Sequence, residues 1–120
     1  MLLPTRLSIV AAIAVLAGCA APNIPPGPPG KHLVYYDGDG KVVRQFDYPD
    51  DAFCRRVEAL AGRAARCRAE PAAGMQARAT LRYNPPGILV QGHYADMARC
   101  HADTSTMSAG VELINPCTAQ

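Results

Sequence analysis

Tryptophan is absent and phenylalanine occurs only twice, so the chain has little with which to build a large aromatic core. Charge is nearly balanced, with 12 Lys plus Arg against 10 Asp plus Glu, which gives no reason to expect strong attraction to nucleic acid. Only three histidines occur, His32, His93 and His101, and any metal site or imidazole base would have to draw on them. Cys100 and His101 are neighbours, a poor spacing for a nucleophile–base pair on a strand because they point to opposite faces. There is no G-x-S-x-G, no H-E-x-x-H and no glycine-rich phosphate loop. These gaps argue against an enzyme, a bound cofactor or a resident metal. Asp37-Gly38-Asp39-Gly40 has the start of a calcium loop, but Lys41 and Val42 stand where a ligand and a glycine are needed. It reads as a hairpin turn.

Long apolar runs are also missing, with one exception. Leu7 to Ala17 is uncharged and follows Arg6 and the terminal amine. A helix of that run would be ~16 Å long, short of the ~30 Å hydrocarbon core, so it does not suit a permanent span. A positive start, an apolar middle and small residues before a cysteine make the pattern of a secretory signal. Leu16-Ala17-Gly18-Cys19 resembles the lipobox of bacterial lipoproteins. The resemblance covers residues 1–20 and concerns processing, not fold. It implies cleavage before Cys19, acylation of that thiol (palmitate among the chains) and a lipid anchor. Two or three acyl chains hold a small domain firmly, where one does not. Ala20, in place of an aspartate, favours the outer membrane, with the domain facing the periplasm.

An exported chain changes the meaning of cysteine. Beyond Cys19 lie Cys54, Cys67, Cys100 and Cys117, an even set that reads as two disulfides. A zinc site would show paired short spacings, and none occurs. Small domains bury a limited share of their surface and gain from such bridges.

Ala20 to Gly30 is rich in proline and glycine and reads as an extended tether of about 30 Å. This divides the chain into a signal segment (1–18), a lipidated cysteine with its tether (19–31) and one small domain (32–120). His32 to Tyr48 reads as a β-hairpin turning at 37–40. Asp50 to Glu70 reads as one helix, capped by Asp50 or Asp51 and stopped by Pro71. Phe53, Val57, Leu60, Ala61 and Ala64 would form its core face. Strands follow at 76–83, from Ile88 towards Tyr94, and at 110–114, with Asn115-Pro116 ending the last. Residues 95–105 fit a short helix or a continued strand. The expected fold is α+β, one helix packed on a small antiparallel sheet and stapled by two disulfides.

A continuous helix would separate Cys54 from Cys67 by ~20 Å, against the ~7 Å that a disulfide tolerates. The expected bridges are therefore Cys67–Cys100 and Cys54–Cys117, or the crossed pair Cys54–Cys100 and Cys67–Cys117. The same helix would carry a stripe of Arg55, Arg56, Arg63 and Arg66 away from its core face, a candidate contact with anionic lipid headgroups, a carboxylate-bearing wall polymer or an acidic protein partner. Its ordinary alternative is a solvated face paired with Glu58 and Glu70. Tyr35, Tyr36, Tyr48, Tyr83 and Tyr94 are further candidates for contact, or for packing.

The functional expectation is a non-catalytic accessory or binding subunit of an envelope complex, attached through acylated Cys19 to membrane lipid and touching an envelope protein. The alternative is a periplasmic inhibitor or immunity-type lipoprotein acting on a wall-active enzyme. A small hydrolase is the third and most distant reading.

Overall fold

The computed structural model describes Ile24 and residues 29–120. The apolar run, the cysteine at position 19 and most of the tether lie outside the described residues. Among those residues no helix is long and apolar enough to cross a membrane.

Over the described residues the fold is α+β: a six-stranded antiparallel sheet with two helices and two disulfides. Strands β1 (His32–Tyr36) and β2 (Val42–Asp47) form the expected hairpin. The Asp37 carboxylate accepts from the backbone of Asp39 and Lys41, which closes the turn. Those backbone bonds, Lys41 first, hold the Asp37 pKa below its usual range. Helix α1 (Asp51–Ala61) starts at Asp50, whose side chain accepts from the Phe53 amide at 2.8 Å. Strand β3 (Ala65–Arg68) follows, then β4 (Ala77–Tyr83) and β5 (Ile88–Tyr94). Helix α2 (Met97–Thr104) is capped by Asp96, and β6 (Val111–Ala119) ends the chain's structure. The strand order is β3-β1-β2-β5-β4-β6.

The long helix expected over 50–70 is two elements. Gly62 sits at φ +87°, which ends α1, and its amide bonds back to the Glu58 carbonyl. Ala65-Arg66-Cys67-Arg68 then alternates buried and half-buried, the period of a strand. With the helix broken, Cys54 and Cys67 come within 6.1 Å (Cα–Cα) and bond to each other. The second bridge is Cys100–Cys117. Both expected pairings are thereby overturned, the favoured and the crossed alike, because each rested on the continuous helix. Leu60 is 88% exposed and contributes no core contact, while Cys54 fills the inward position instead.

The remaining differences have local causes. Residues 97–104 are helical because Asp96 satisfies the first-turn amide of Arg99. Strand β6 runs through Pro116 because it lies at the sheet edge, where a missing N–H is tolerated, and its pairing with β4 is irregular there.

Both helices pack on one face of the sheet. Leu33, Ala65, Leu81 and Val90 meet Phe53, Val57 and Ala61 of α1, joined by the Cys54–Cys67 bridge. Ala77, Ala79 and Tyr94 meet Met97 and Cys100 of α2, joined by Cys117. Tyr48 and Tyr83 share a hydroxyl–hydroxyl bond of 3.0 Å inside this layer. Burial pushes the Tyr48 hydroxyl pKa far upward, with Tyr83 adding to it. At the β3 edge the Glu58 carboxylate accepts from the Cys67 amide at 2.7 Å, which occupies a donor that would otherwise invite another strand.

The chain enters the domain through a tight place. A Cβ on Gly30 would collide with the Arg68 carbonyl and the Ala69 backbone. Gly30→Ala is expected to cost about 1–3 kcal/mol, since backbone must move to admit the methyl group. A thermal melt checks it; an unchanged midpoint would mean that the entry strand is not held against β3.

Candidate functional site

Among the described residues no helix packs on the opposite face of the sheet. In an antiparallel sheet, residues paired across strands point the same way, so the register reads out the face directly. One row crosses all six strands as Arg68, His32, Asp47, Gln91, Thr80 and Asn115. The next row is Arg66, Val34, Gln45, His93, Arg78 and Thr118. Val34 is the single apolar side chain in both rows. A sheet that only builds a core would leave such a face charged and scattered. Here the polar groups are bonded to one another.

Asp47 is the centre. Its Oδ1 accepts from His32 Nδ1 at 2.7 Å and from Gln45 Nε2 at 2.7 Å, and its Oδ2 accepts from His93 Nε2 at 2.8 Å. Burial on its own would push the carboxyl pKa up; the bonds from His93, His32 and Gln45 overcome this and pull it down to about 2. His93 Nδ1 lies 2.7 Å from Gln120 Oε1. Both ring nitrogens of His93 therefore face acceptors, and the doubly protonated ring is the form that satisfies both. The bond to Asp47 is the main reason its pKa is raised, against an opposing effect of burial. Gln45 is 1% exposed because residues 69–76 fold over it, and its Oε1 accepts from the Ala72 amide at 2.6 Å. That loop covers the β1–β2 end of the face and leaves the β5–β4–β6 end open.

At the open end lies a depression of about 510 Å³ lined by Arg78, Thr80, Gln91, Asn115, Pro116 and Thr118. Gln91 Nε2 donates to Thr80 Oγ1 at 2.9 Å, which fixes the orientation of both side chains. Further along, Arg82 pairs with Glu112 at 3.6 Å.

The structure distributes the candidate residues unevenly. His32 and His93 come together; His101 is on α2, on the other side of the sheet. The four arginines do not share a helix face. Arg55 and Arg56 are exposed on α1, Arg63 is in the turn after Gly62, and Arg66 is on β3 with its Nε donating to the Ile24 carbonyl at 3.0 Å. The expected stripe is thus dissolved by the same break that rejoined the cysteines. Glu58 pairs with the Cys67 amide and not with an arginine. Tyr35, Tyr48, Tyr83 and Tyr94 pack on the helix side, and Tyr36 lies on the other face against Arg68.

Asp47 is the residue that sequence reasoning passed over. The hairpin register alone places it opposite His32, so half of the network was available from the turn position. His93 reaches it only through the β2–β5 pairing of distant segments. His93 has both nitrogens engaged, and among the described residues no hydroxyl or thiol bonds His32 Nε2. Those residues also include no group of three or more His, Cys, Asp or Glu placed to hold a metal ion. Compared with known proteins, the chain matches no family model, no curated protein and no solved structure.

Proposed function

We propose that this chain is a bacterial lipoprotein, acylated at Cys19, held on the periplasmic side of the outer membrane, and that it works as a non-catalytic binding subunit of an envelope complex. The anchoring part rests on the lipobox-like Leu16-Ala17-Gly18-Cys19 and the proline-rich stretch that follows it. Two disulfides suit an oxidising compartment such as the periplasm. The binding part rests on one observation: the sheet face away from both helices is polar along two rows, Val34 apart, and internally cross-bonded around Asp47. A pre-ordered polar surface loses little side-chain entropy when a partner arrives. In this reading the lipid fixes position, the tether sets reach and the sheet face makes the contact.

Two measurements test it. Cys19→Ala should move the protein from the membrane fraction to the soluble fraction and abolish lipid labelling; membrane retention without the cysteine would refute the anchor. A photo-crosslinker placed at Leu89, exposed on the helix-free face, should capture one envelope protein in intact cells. The same group at Leu60, exposed on α1, should not. Equal capture from both positions would remove the sheet face as the contact surface. Stoichiometric capture of a soluble wall-active enzyme from Leu89 would mark an inhibitor instead.

A further inference from the structure

We infer that the depression on β4, β5 and β6 is a binding site for a carboxylate-bearing saccharide, with Arg78 as the anion contact and Thr80, Gln91, Asn115 and Thr118 as the hydroxyl contacts. The inference rests on the reading of this sheet face as a binding surface and names the ligand class it takes.

Charge is the first argument. Among the described residues no carboxylate lies within salt-bridge distance of Arg78, whereas Arg44 and Arg82 have Asp103 and Glu112. The neighbouring carboxylate, Asp47, cannot serve it. Both Asp47 oxygens are taken by His32, Gln45 and His93. The register places Arg78 directly beside His93, whose charge Asp47 already balances, so the local excess is the single positive charge of Arg78. One guanidinium matches one negative charge in a bidentate pair, the geometry of a carboxylate. A phosphate dianion would call for more positive charge than the depression offers.

The rest of the lining supplies the second argument. Two hydroxyls and two carboxamides surround Arg78, and each group can both donate and accept. Sugar hydroxyls have the same double capacity. The Gln91 bond to Thr80 Oγ1 leaves the Thr80 hydroxyl hydrogen and Gln91 Oε1 available, one donor beside one acceptor. An acidic peptide fits less well. Its side chains would look for apolar anchors, and the lining offers only Pro116 and Ala79. A volume of about 510 Å³ lies within the range of ~300–1,000 Å³ usual for small-ligand sites.

The test uses the full-length protein in detergent micelles, labelled for amide NMR and titrated with an oligogalacturonate. Shifts should concentrate on Arg78, Thr80, Gln91, Asn115 and Thr118. The methyl-esterified oligosaccharide should bind at least tenfold more weakly. Arg78→Ala should lose at least tenfold in affinity with an unchanged melting midpoint, Arg78→Lys should retain part of it, and Arg82→Ala should change nothing. Poly-L-glutamate and inorganic phosphate should bind at least tenfold more weakly than the oligogalacturonate. Equal binding of poly-L-glutamate or phosphate would overturn the saccharide assignment. Equal binding of the methyl ester, an unchanged affinity in Arg78→Ala, or shifts outside the depression would overturn the site. Crosslinking from Leu89 is read separately, so a failed saccharide site does not count against the protein contact, nor the reverse.

Discussion

Breaking both disulfides should take away most of the domain's stability. Cys54–Cys67 and Cys100–Cys117 close loops with sequence separations of 13 and 17. On the chain-entropy account, each cross-link of that length stabilises by about 3 kcal/mol, chiefly by restricting the unfolded chain. Together that is about 6 kcal/mol, against a total of about 5–15 kcal/mol for a domain. The placement adds to the effect. Each bridge ties one helix to one edge strand, α1 to β3 and α2 to β6, and each sits inside its own apolar cluster. A single Cys→Ser pair should therefore lower the melting midpoint by about 12–24 °C, at roughly 4–8 °C per kcal/mol for a domain this small. The double set should be largely unfolded at growth temperature. Circular dichroism melts with and without reductant measure this, and a shift under about 5 °C for either bridge would refute the argument. Peptide mapping should return the linked pairs 54–67 and 100–117.

Those bridges also show where the sequence could and could not be read. The hairpin, strands β4 and β5, and the capped start of α1 follow from alternation, turn residues and Asp50, all of them local signals. The length of α1 did not follow, although Gly62 was a visible warning. Helical spacing of Phe53, Val57, Ala61 and Ala64 continued past it, and Ala65-Arg66-Cys67-Arg68 is too short to declare its own period. One misplaced boundary then propagated. It separated Cys54 from Cys67, displaced both disulfides and drew Arg63 and Arg66 onto a helix they do not occupy. The binding face was legible only in part, since His32 and Asp47 face each other across one hairpin, while His93, Arg78 and Thr118 join them through long-range pairing. Non-local strand order is set by which apolar faces bury together, and the polar rows inherit it.

The stability of that network should peak in mildly acidic solution, and Asp47→Asn should abolish the peak. Asp47 has a folded pKa of about 2 against an ordinary 3.8. A depressed acid contributes stability above its unfolded value, and the contribution is lost as pH falls through 3.8 towards 2. His93 is raised above its ordinary 6.5, so its contribution is complete below 6.5 and is lost as pH rises through the folded value. The two windows overlap between about 4 and 6.5, where the carboxylate is charged and the imidazolium is present. In Asp47→Asn the charge disappears, and His32, Gln45 and His93 lose a carboxylate acceptor that each of them now reaches at 2.7–2.8 Å. Hydrogen bonds to a charged group contribute ~1.5–3 kcal/mol each, but the asparagine oxygen keeps one of them and the site is partly open to solvent. A net loss of about 2 kcal/mol is expected near pH 5, with a smaller loss once pH has risen past the raised His93 value and the ring of the parent protein is neutral. Melts from pH 3 to pH 9, with the His93 ring followed by NMR, measure both parts. The His93 titration should move back towards its ordinary value in the variant. If it stays raised, Gln120 and not Asp47 holds the ring charged, and the network is not centred on the carboxylate. If Asp47→Asn lowers the midpoint equally at every pH, the carboxylate packs the face without coupling its charge to folding.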